Sequence, residues 1–566
     1  MLHKLKLELT KILKKETSLS DEQIFATFEP SPFADLTTKI SFLVAKTKNQ
    51  NPVEVAKNLA TKINHKYLEK AEAKGPYINL FLNNKLYIGS IKKMLKEKEK
   101  YGRSKKTNKN YMVEYFHANT HKGVHVGHIR NISLGESLCK ILEFAGNKVI
   151  RVNFQGDIGP HVAKCLWGFI NLHHQKEPKT HKGTWLGKVY AEASMQIKDH
   201  PELEEQVQDI NLKLYSKDKE MTKIWERTRQ WCLDDFEEFY KEFGVKFDEL
   251  YFESQSETIG KKMVYELLEK GVVKKDNGAI IIDLKDDGLG VFVLLTKEGY
   301  PLYSTKDLGL AKLKFDKYKI DKSIHVVGRE QELHFKQLFK LFEKMGFEKA
   351  AKTSYHLIYG LVMLPEGKMS SREGTMILYQ DLNEKLLETS NEEVKKRHKD
   401  WEEKEMKKVA NTIAMGALKF SMIRREPNKE LVFDWNEALK LEGDTGPYIQ
   451  YAVVRALGIL RKAKEMKEKP KLSVGHSFNS QEKDLVNKLN QSQDIIQKSS
   501  RDLAPHLVAN YLLEVANLFN KFYDASSVLN ADSTNVLRTR LALVQATNYV
   551  LKTGLSLLGI SCPERM

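Results

Sequence analysis

The chain has 566 residues, with 92 Lys and Arg against 75 Asp and Glu, a formal net charge of +17. An excess of that size asks for a polyanionic partner. The 41% hydrophobic and 9% aromatic content excludes wholesale disorder, and no apolar run approaches the roughly 20 residues of a membrane span. At about 150 residues per domain the length fits three or four domains. The four cysteines, Cys139, Cys165, Cys232 and Cys562, are scattered without a CxxC pair. That pattern speaks against a zinc ribbon and a secreted disulfide framework and fits a soluble chain in a reducing cytoplasm.

The first segment, MLHKLKLELTKILKKE, is amphipathic and basic. Glu8 and Glu16 interrupt it and no small-residue cleavage site follows, so it reads as a folded helix and not a transit peptide. Val53, Val55, Ala56, Leu59, Ala60 and Ile63 share one helical face, and Ile78, Leu80 and Leu82 alternate like a half-buried strand. Residues 1–106 are therefore expected to form a small α/β domain that ends in the charged linker KEKEKYGRSKKTNKN.

Residues 111–116 (YMVEYF) read as a strand, HANTHKGVHVGH as a loop, the stretch from Ile129 as a helix with a C-cap at Gly146-Asn147, and KVIRVNF as a second strand. This is a βαβ unit. Polar helices fill about 180–250, and strand pieces AIIIDL and GVFVLL follow. The doubly wound pattern resumes with 303–313 as helix or loop, IHVVG as a strand and QELHFKQLFKLFEKMGF as a helix, followed by YHLIYGLVMLPEGKMSSREGTMI. The expected architecture is a Rossmann-type parallel-sheet catalytic domain over 107–433, with an insertion around 170–300. Strand signals fade beyond Asp434, and 434–566 is expected to be all-helical. There is no internal repeat and no long low-complexity tract.

Two loops carry chemistry. In the first, His117, His121, His125 and His128 lie between a strand and the first turn of a helix, where free N–H groups favour an anion. Small residues at Gly123 and Gly127 allow close approach, and His125 and His128, three apart, can address one phosphate chain. Zinc ligation is the rival, but no HExxH carboxylate is present. The second loop is 367–375 (GKMSSREGT), where Lys368 offers a point charge, Ser370 and Ser371 offer hydroxyls, and glycines permit closure over a triphosphate.

HVGH followed by KMSS resembles the paired signature loops of class I aminoacyl-tRNA synthetases. The flanking text is similar to that of arginyl-tRNA synthetases: PFADLTTKISFLVAK, VEYFHANTHKGVHVGHIRN, NKVIRVNFQGDIG, LYSTKDLGLA, VVGREQELHFKQLF, GDTGPYIQYAVVRA and LLGISCPERM. The resemblance implies ATP- and Mg²⁺-dependent charging of tRNA(Arg) with L-arginine. It also implies an N-terminal domain that touches the tRNA corner and a helical C-terminal domain that reads the anticodon. It implies an ATP site of His125, Gly127, His128, Lys368, Met369, Ser370 and Ser371. A guanidinium cannot be neutralised at physiological pH, so its pocket needs carboxylates. By similarity that pocket is Glu114, Asn119, Tyr303, Asp307 and Gln331, with Asp307 on the guanidinium and Glu114 and Asn119 at the α-amino end. Without the resemblance, Asp307 reads as an ordinary helix-N-terminal carboxylate, Glu114 as a solvent-facing strand residue and Tyr303 as core.

The arginine carboxylate would attack the α-phosphorus of ATP, and a terminal ribose hydroxyl of tRNA would then take the arginyl group, with no protein nucleophile. The general class pattern KMSKS has a second lysine where this chain has Ser371. Arginyl enzymes often carry a lysine just before the first motif instead, and Lys122 matches it. In the family, activation generally needs bound tRNA. Candidate tRNA contacts are Tyr448, Tyr451, Arg455, Tyr523 and Met566, although a helical aromatic is more often core. A monomer without a resident metal or tightly bound cofactor is expected. Alternatives are a class I synthetase for another amino acid and a non-catalytic tRNA-binding relative. The lack of a large inserted β-barrel opposes the editing isoleucine, valine and leucine enzymes, and the lack of zinc-spaced cysteines opposes the cysteine enzyme.

Overall fold

In the computed structural model, which describes residues 1–363 and 378–566, five parallel strands form the central sheet. Their order is Ser354–Tyr359, Lys322–Gly328, Asn110–Glu114, Lys148–Gln155, Glu249–Phe252. Met112, Val113, Val152, Ile324 and Val326 are fully buried, as expected of strands covered on both faces. The chain enters at the central strand Asn110–Glu114, builds outward to one side, and returns on the other side through Lys322–Gly328. Connections therefore diverge between these two neighbours, and a crevice opens at their carboxyl ends.

The strand expected over 111–116 stops at Glu114. Phe116 and His117 turn into the left-handed region, with φ +82° and +54°. Two asparagine side chains hold this turn: Asn131 Oδ1 accepts the N–H of Phe116 at 2.6 Å, and Asn153 Oδ1 accepts that of His117 at 3.1 Å. The helix Val126–Phe144 begins three residues before Ile129, so the HVGH motif forms its cap and first turn.

The expected insert is not one block. Helices Lys182–Asp199, Glu204–Tyr215 and Lys219–Phe243 come first, then Glu249–Phe252 rejoins the parallel sheet as its edge strand. Strands Lys274–Asp276, Ala279–Leu284 and Gly290–Leu295 form a separate antiparallel sheet. Residues 303–313 lie in the helix Tyr303–Lys317.

The N-terminal part is a four-stranded antiparallel sheet with helices, and Leu2–Lys14 buries Leu2, Leu5, Leu9 and Leu13 at helical spacing. One apolar core joins it to the C-terminal helices Gly446–Glu465, Ser480–Asn490, Ser492–Asp502, His506–Ala525 and Thr534–Leu557. Beyond Leu431–Val432 the described residues form no further strand. Among the described residues no helix is long and apolar enough to cross a membrane. The four cysteines are unpaired thiols.

Candidate active site

His125 is the N-cap of the helix Val126–Phe144. Its Nδ1 accepts the N–H of Gly127 at 3.2 Å, and His128 Nδ1 accepts the N–H of His125 at 3.1 Å. The rings lie 3.8 Å apart, centroid to centroid. Burial pushes His125 down to about 4, helped by the nearby Lys122 ammonium, and burial likewise holds His128 well below the ordinary imidazole value. Both rings are therefore neutral at physiological pH. With each Nδ1 used as an acceptor, each proton sits on Nε2, on the far side of the ring from the backbone it caps. The helix start thus offers imidazole N–H donors in place of the free backbone N–H groups expected from sequence.

The glycines make room for protein before they make room for ligand. A Cβ on Gly127 would lie 2.9 Å from the His125 ring, and one on Gly123 would lie 2.5 Å from Leu378. Leu378 bridges to His125, and Tyr379 N–H donates to the Val124 carbonyl at 2.8 Å. The chain emerging from the second loop is thereby pinned to the first. Lys368, Met369, Ser370 and Ser371 themselves lie outside the described residues. Lys122 sits beside the imidazoles with its Nζ 5.0 Å from the centroid of Tyr190. Fully buried Arg130 donates to four carbonyls, those of Gly360, Leu361, Pro427 and Lys429 at 2.7–3.2 Å. It ties this helix to the paired strands Val362–Met363 and Leu431–Val432.

The expected arginine-pocket residues separate into a base and a rim. Glu114 is buried, so its expected alternative as a solvent-facing strand residue is overturned. Its oxygens accept from Lys314 Nζ at 2.6 Å and meet His325 Nδ1 at 3.2 Å. Burial works against its charge, but Lys314 and His325 outweigh burial and hold the carboxyl well below its usual range. Asn119 and Glu253 both crowd Gly156, where a Cβ would lie 2.2 Å from Asn119 Oδ1 and 3.3 Å from Glu253 Oε1. Tyr303 is 63% exposed and so is not core. Asp307, one turn further along the same helix, pairs with His334 Nε2 at 2.6 Å. Gln331 is exposed in the short turn Arg329–Gln331 that precedes the helix Glu332–Lys344.

Sequence reading missed Glu253, which is buried and ion-paired with Lys306. It is the first residue after the strand Glu249–Phe252, at a carboxyl end of the sheet, a strand that sequence reading did not mark. Arg130, Lys306 and His334 were missed too, since their partners are set by the tertiary fold.

The four loop histidines do not act together. His121 is buried with its ring nitrogens on Thr120 Oγ1 at 2.9 Å and Thr228 Oγ1 at 2.8 Å. His117 stands near Glu114, His325 and Asp307. Among the described residues, the His/Asp/Glu group close enough to hold an ion is His181, Asp235 and Glu238, and it contains none of these four. Those residues border a cavity of about 560 Å³ next to Lys122 and Val124. In the C-terminal helices, Arg455 lies between Tyr451 and Tyr523, 4.9 and 5.0 Å from their centroids, and donates to Asn520 Oδ1 at 2.7 Å. Asn520 donates to the Tyr448 hydroxyl at 2.9 Å. Met566 packs instead with the cluster of Val394, Val409, Ala410 and Ile413.

Family models account for most of the chain. The class I (R) tRNA synthetase catalytic domain matches residues 90–435, the DALR anticodon binding domain 449–566, and the arginyl tRNA synthetase N terminal domain 2–82. The chain belongs to the arginyl-tRNA synthetase family. As a member it is a class I aminoacyl-tRNA synthetase, an ATP-dependent ligase. It is 34% identical to the arginine–tRNA ligase of Bdellovibrio bacteriovorus over 97% of this chain and 96% of that protein. It is also 34% identical to that of Clostridium perfringens, over 93% of each. The fold superposes on Thermus thermophilus arginyl-tRNA synthetase with a TM-score of 0.83 at 24% identity, covering 100% of both chains.

Proposed function

We propose that this chain activates L-arginine with ATP and transfers it to tRNA(Arg) through the residues assembled at the switch point. The observation that carries this reading is the pair of neutral imidazoles with Nδ1 committed to backbone, in the same crevice as Asn119, Glu253 and Asp307.

Guanidinium recognition falls to the carboxylates of Asp307 and Glu253, with the Tyr303 ring at the rim and Gln331 beyond it. Asn119 orients the α-amino end. Glu114 acts from beneath, because its oxygens are engaged by Lys314 and His325. The carboxylate of arginine attacks the α-phosphorus as pyrophosphate leaves. Nε2–H of His125 and His128 donates to the non-bridging oxygens, and Lys122 and Lys368, with Met369, Ser370 and Ser371, serve the outer phosphates. Imidazole and ammonium donors suit phosphate oxygens and not Mg²⁺, which prefers oxygen ligands. Bound to the triphosphate of ATP, such an ion would supply charge neutralisation there, while His125, His128 and Lys122 would hold the phosphate oxygens. Affinity for tRNA comes from the basic surface, and Tyr448, Tyr451, Arg455, Tyr523 and Met566 serve the anticodon. The three parts, 1–106, 107–433 and 434–566, work as a cytoplasmic monomer.

The test is charging of total tRNA with each of the twenty amino acids, beside pyrophosphate exchange with and without tRNA. Charging with arginine alone, and exchange only when tRNA is present, is the expected result. Charging with another amino acid overturns the pocket, and tight tRNA binding without charging overturns catalysis.

A further inference from the structure

The buried ion pair between Glu253 and Lys306 poses a problem for a cationic substrate. Both side chains are 7% exposed, so the carboxylate best placed beside Asn119 is already neutralised by an internal ammonium. A guanidinium that docks on Glu253 has to share that carboxylate with Lys306 or take it over. Either way one more positive charge enters a desolvated space and needs a counter-charge.

One turn along the same helix, Glu257 presents its carboxyl on the same side as Glu253. Its Oε2 is buried and has no hydrogen-bond partner among the described residues. Such an atom normally has a partner, so an unpaired one asks what completes it. The charged and titratable groups around Glu257 come from every neighbouring element. They are Lys306 on the helix Tyr303–Lys317, Glu253 and Lys261 on its own helix, Asp157 after the strand Lys148–Gln155, and Tyr215 at the end of Glu204–Tyr215. Asp157 is already held by Arg229 at 2.8 Å. Lys306 thus ion-pairs with Glu253 Oε2 and acts electrostatically on Glu257, whose own Oε2 is buried without a partner among the described residues.

We propose that Glu257 is a positioning residue for arginine: when the guanidinium takes Glu253, the Glu257 carboxyl releases its proton to solvent and receives the Lys306 ammonium. One ammonium then has one carboxylate, the guanidinium has Glu253 and Asp307, and charge within the pocket stays balanced. Burial pushes Glu257 up to about 7, so in the free enzyme near neutral pH about half of the molecules hold the proton that must leave. This inference rests on the arginine-ligase reading above.

The experiment uses the full chain with saturating ATP and tRNA and measures arginine KM and kcat at pH 6, 7 and 8. It is run for the parent, Glu257→Gln and Glu257→Asp. The parent KM should rise about tenfold from pH 8 to pH 6, because only the ionised form is competent. Glu257→Gln should show an arginine KM raised about tenfold at pH 8 and flat with pH, with kcat and ATP KM within about twofold. Glu257→Asp should restore the pH dependence. Calorimetry of arginine binding at pH 7 in two buffers of different ionisation enthalpy should show roughly half a proton released by the parent and none by Glu257→Gln. A pH-independent arginine KM in the parent, or an unchanged pH dependence in Glu257→Gln, overturns the proposal while charging persists. Loss of arginine charging in the parent overturns the underlying reading instead.

Discussion

The rings of His125 and His128 stand 3.8 Å apart at the start of one helix, each with Nδ1 accepting a backbone N–H, from Gly127 and from His125 itself. The arrangement assigns two jobs to each ring, one on each nitrogen. Nδ1 closes the helix end, and on the proposed reading Nε2–H serves phosphate. The jobs are separable, because an asparagine Oδ1 occupies roughly the position of Nδ1 and is itself a favoured N-cap. We predict that His125→Asn stays within about 0.5 kcal/mol of the parent in stability while pyrophosphate exchange falls about 10²- to 10³-fold. His128→Ala, which loses both functions, should show the same kinetic loss together with a lower melting temperature. An unchanged exchange rate in either folded variant would remove these imidazoles from the reaction.

Lys122 rests over Tyr190 beside the imidazoles and adds to the burial that lowers their basicity. With serine at position 371, it is the candidate for the positive charge that the second loop lacks. Lys122→Ala should slow adenylate formation by about 10²-fold and leave arginine affinity within about twofold. Single-turnover adenylation beside equilibrium arginine binding separates these effects. Parental charging by Lys122→Ala would refute compensation.

Arg130 ties the helix Val126–Phe144 to the carbonyls of Gly360, Leu361, Pro427 and Lys429. The carbonyls of Gly360 and Lys429 have no donor other than Arg130 among the described residues. Arg130→Met should therefore cost about 3 kcal/mol or more in a urea melt. It should also raise ATP KM more than arginine KM, because the strand leading to residue 364 loses its tie. A melt unchanged from the parent would contradict this role.

His121 gives a pH signature independent of catalysis. Burial pushes it down to about 3, against 6.5 for the free side chain. The unfolded chain therefore binds a proton that the folded chain refuses. His121 stabilises fully above pH 6.5, and that contribution fades as pH falls toward 3. By pH 5 the loss should be about 2 kcal/mol. His121→Gln should narrow the difference between urea melts at pH 7 and pH 5 by about that amount; an equal pH dependence in both proteins would count against it.

Much of the catalytic frame is local and could be read along the chain. Strand and helix periods, the helix end just before Gly146 and the fading of strands after Asp434 follow from steric and solvation rules acting over a few residues, whereas the helix start at His125 lies three residues earlier than those rules placed it. The same rules marked His125 and His128 as one phosphate-facing pair. They did not mark Glu253 or explain Gly156, whose missing side chain leaves room for both Asn119 and Glu253.

The sequence by itself determined the βαβ frame of the catalytic part, the helical C-terminal part, and a basic surface suited to a polyanion. The tertiary structure alone decided which charges face one another. Glu114 and Lys314 are 200 residues apart yet share a hydrogen bond of 2.6 Å. Lys306 is paired with Glu253, 53 residues away, and the four histidines of one loop part into a structural ring, His121, a neighbour of Glu114, His117, and a pair at the helix start, His125 and His128. The physical reason is that periodicity is a property of neighbouring residues, whereas the partner of a buried charge is set by the order of strands in the sheet.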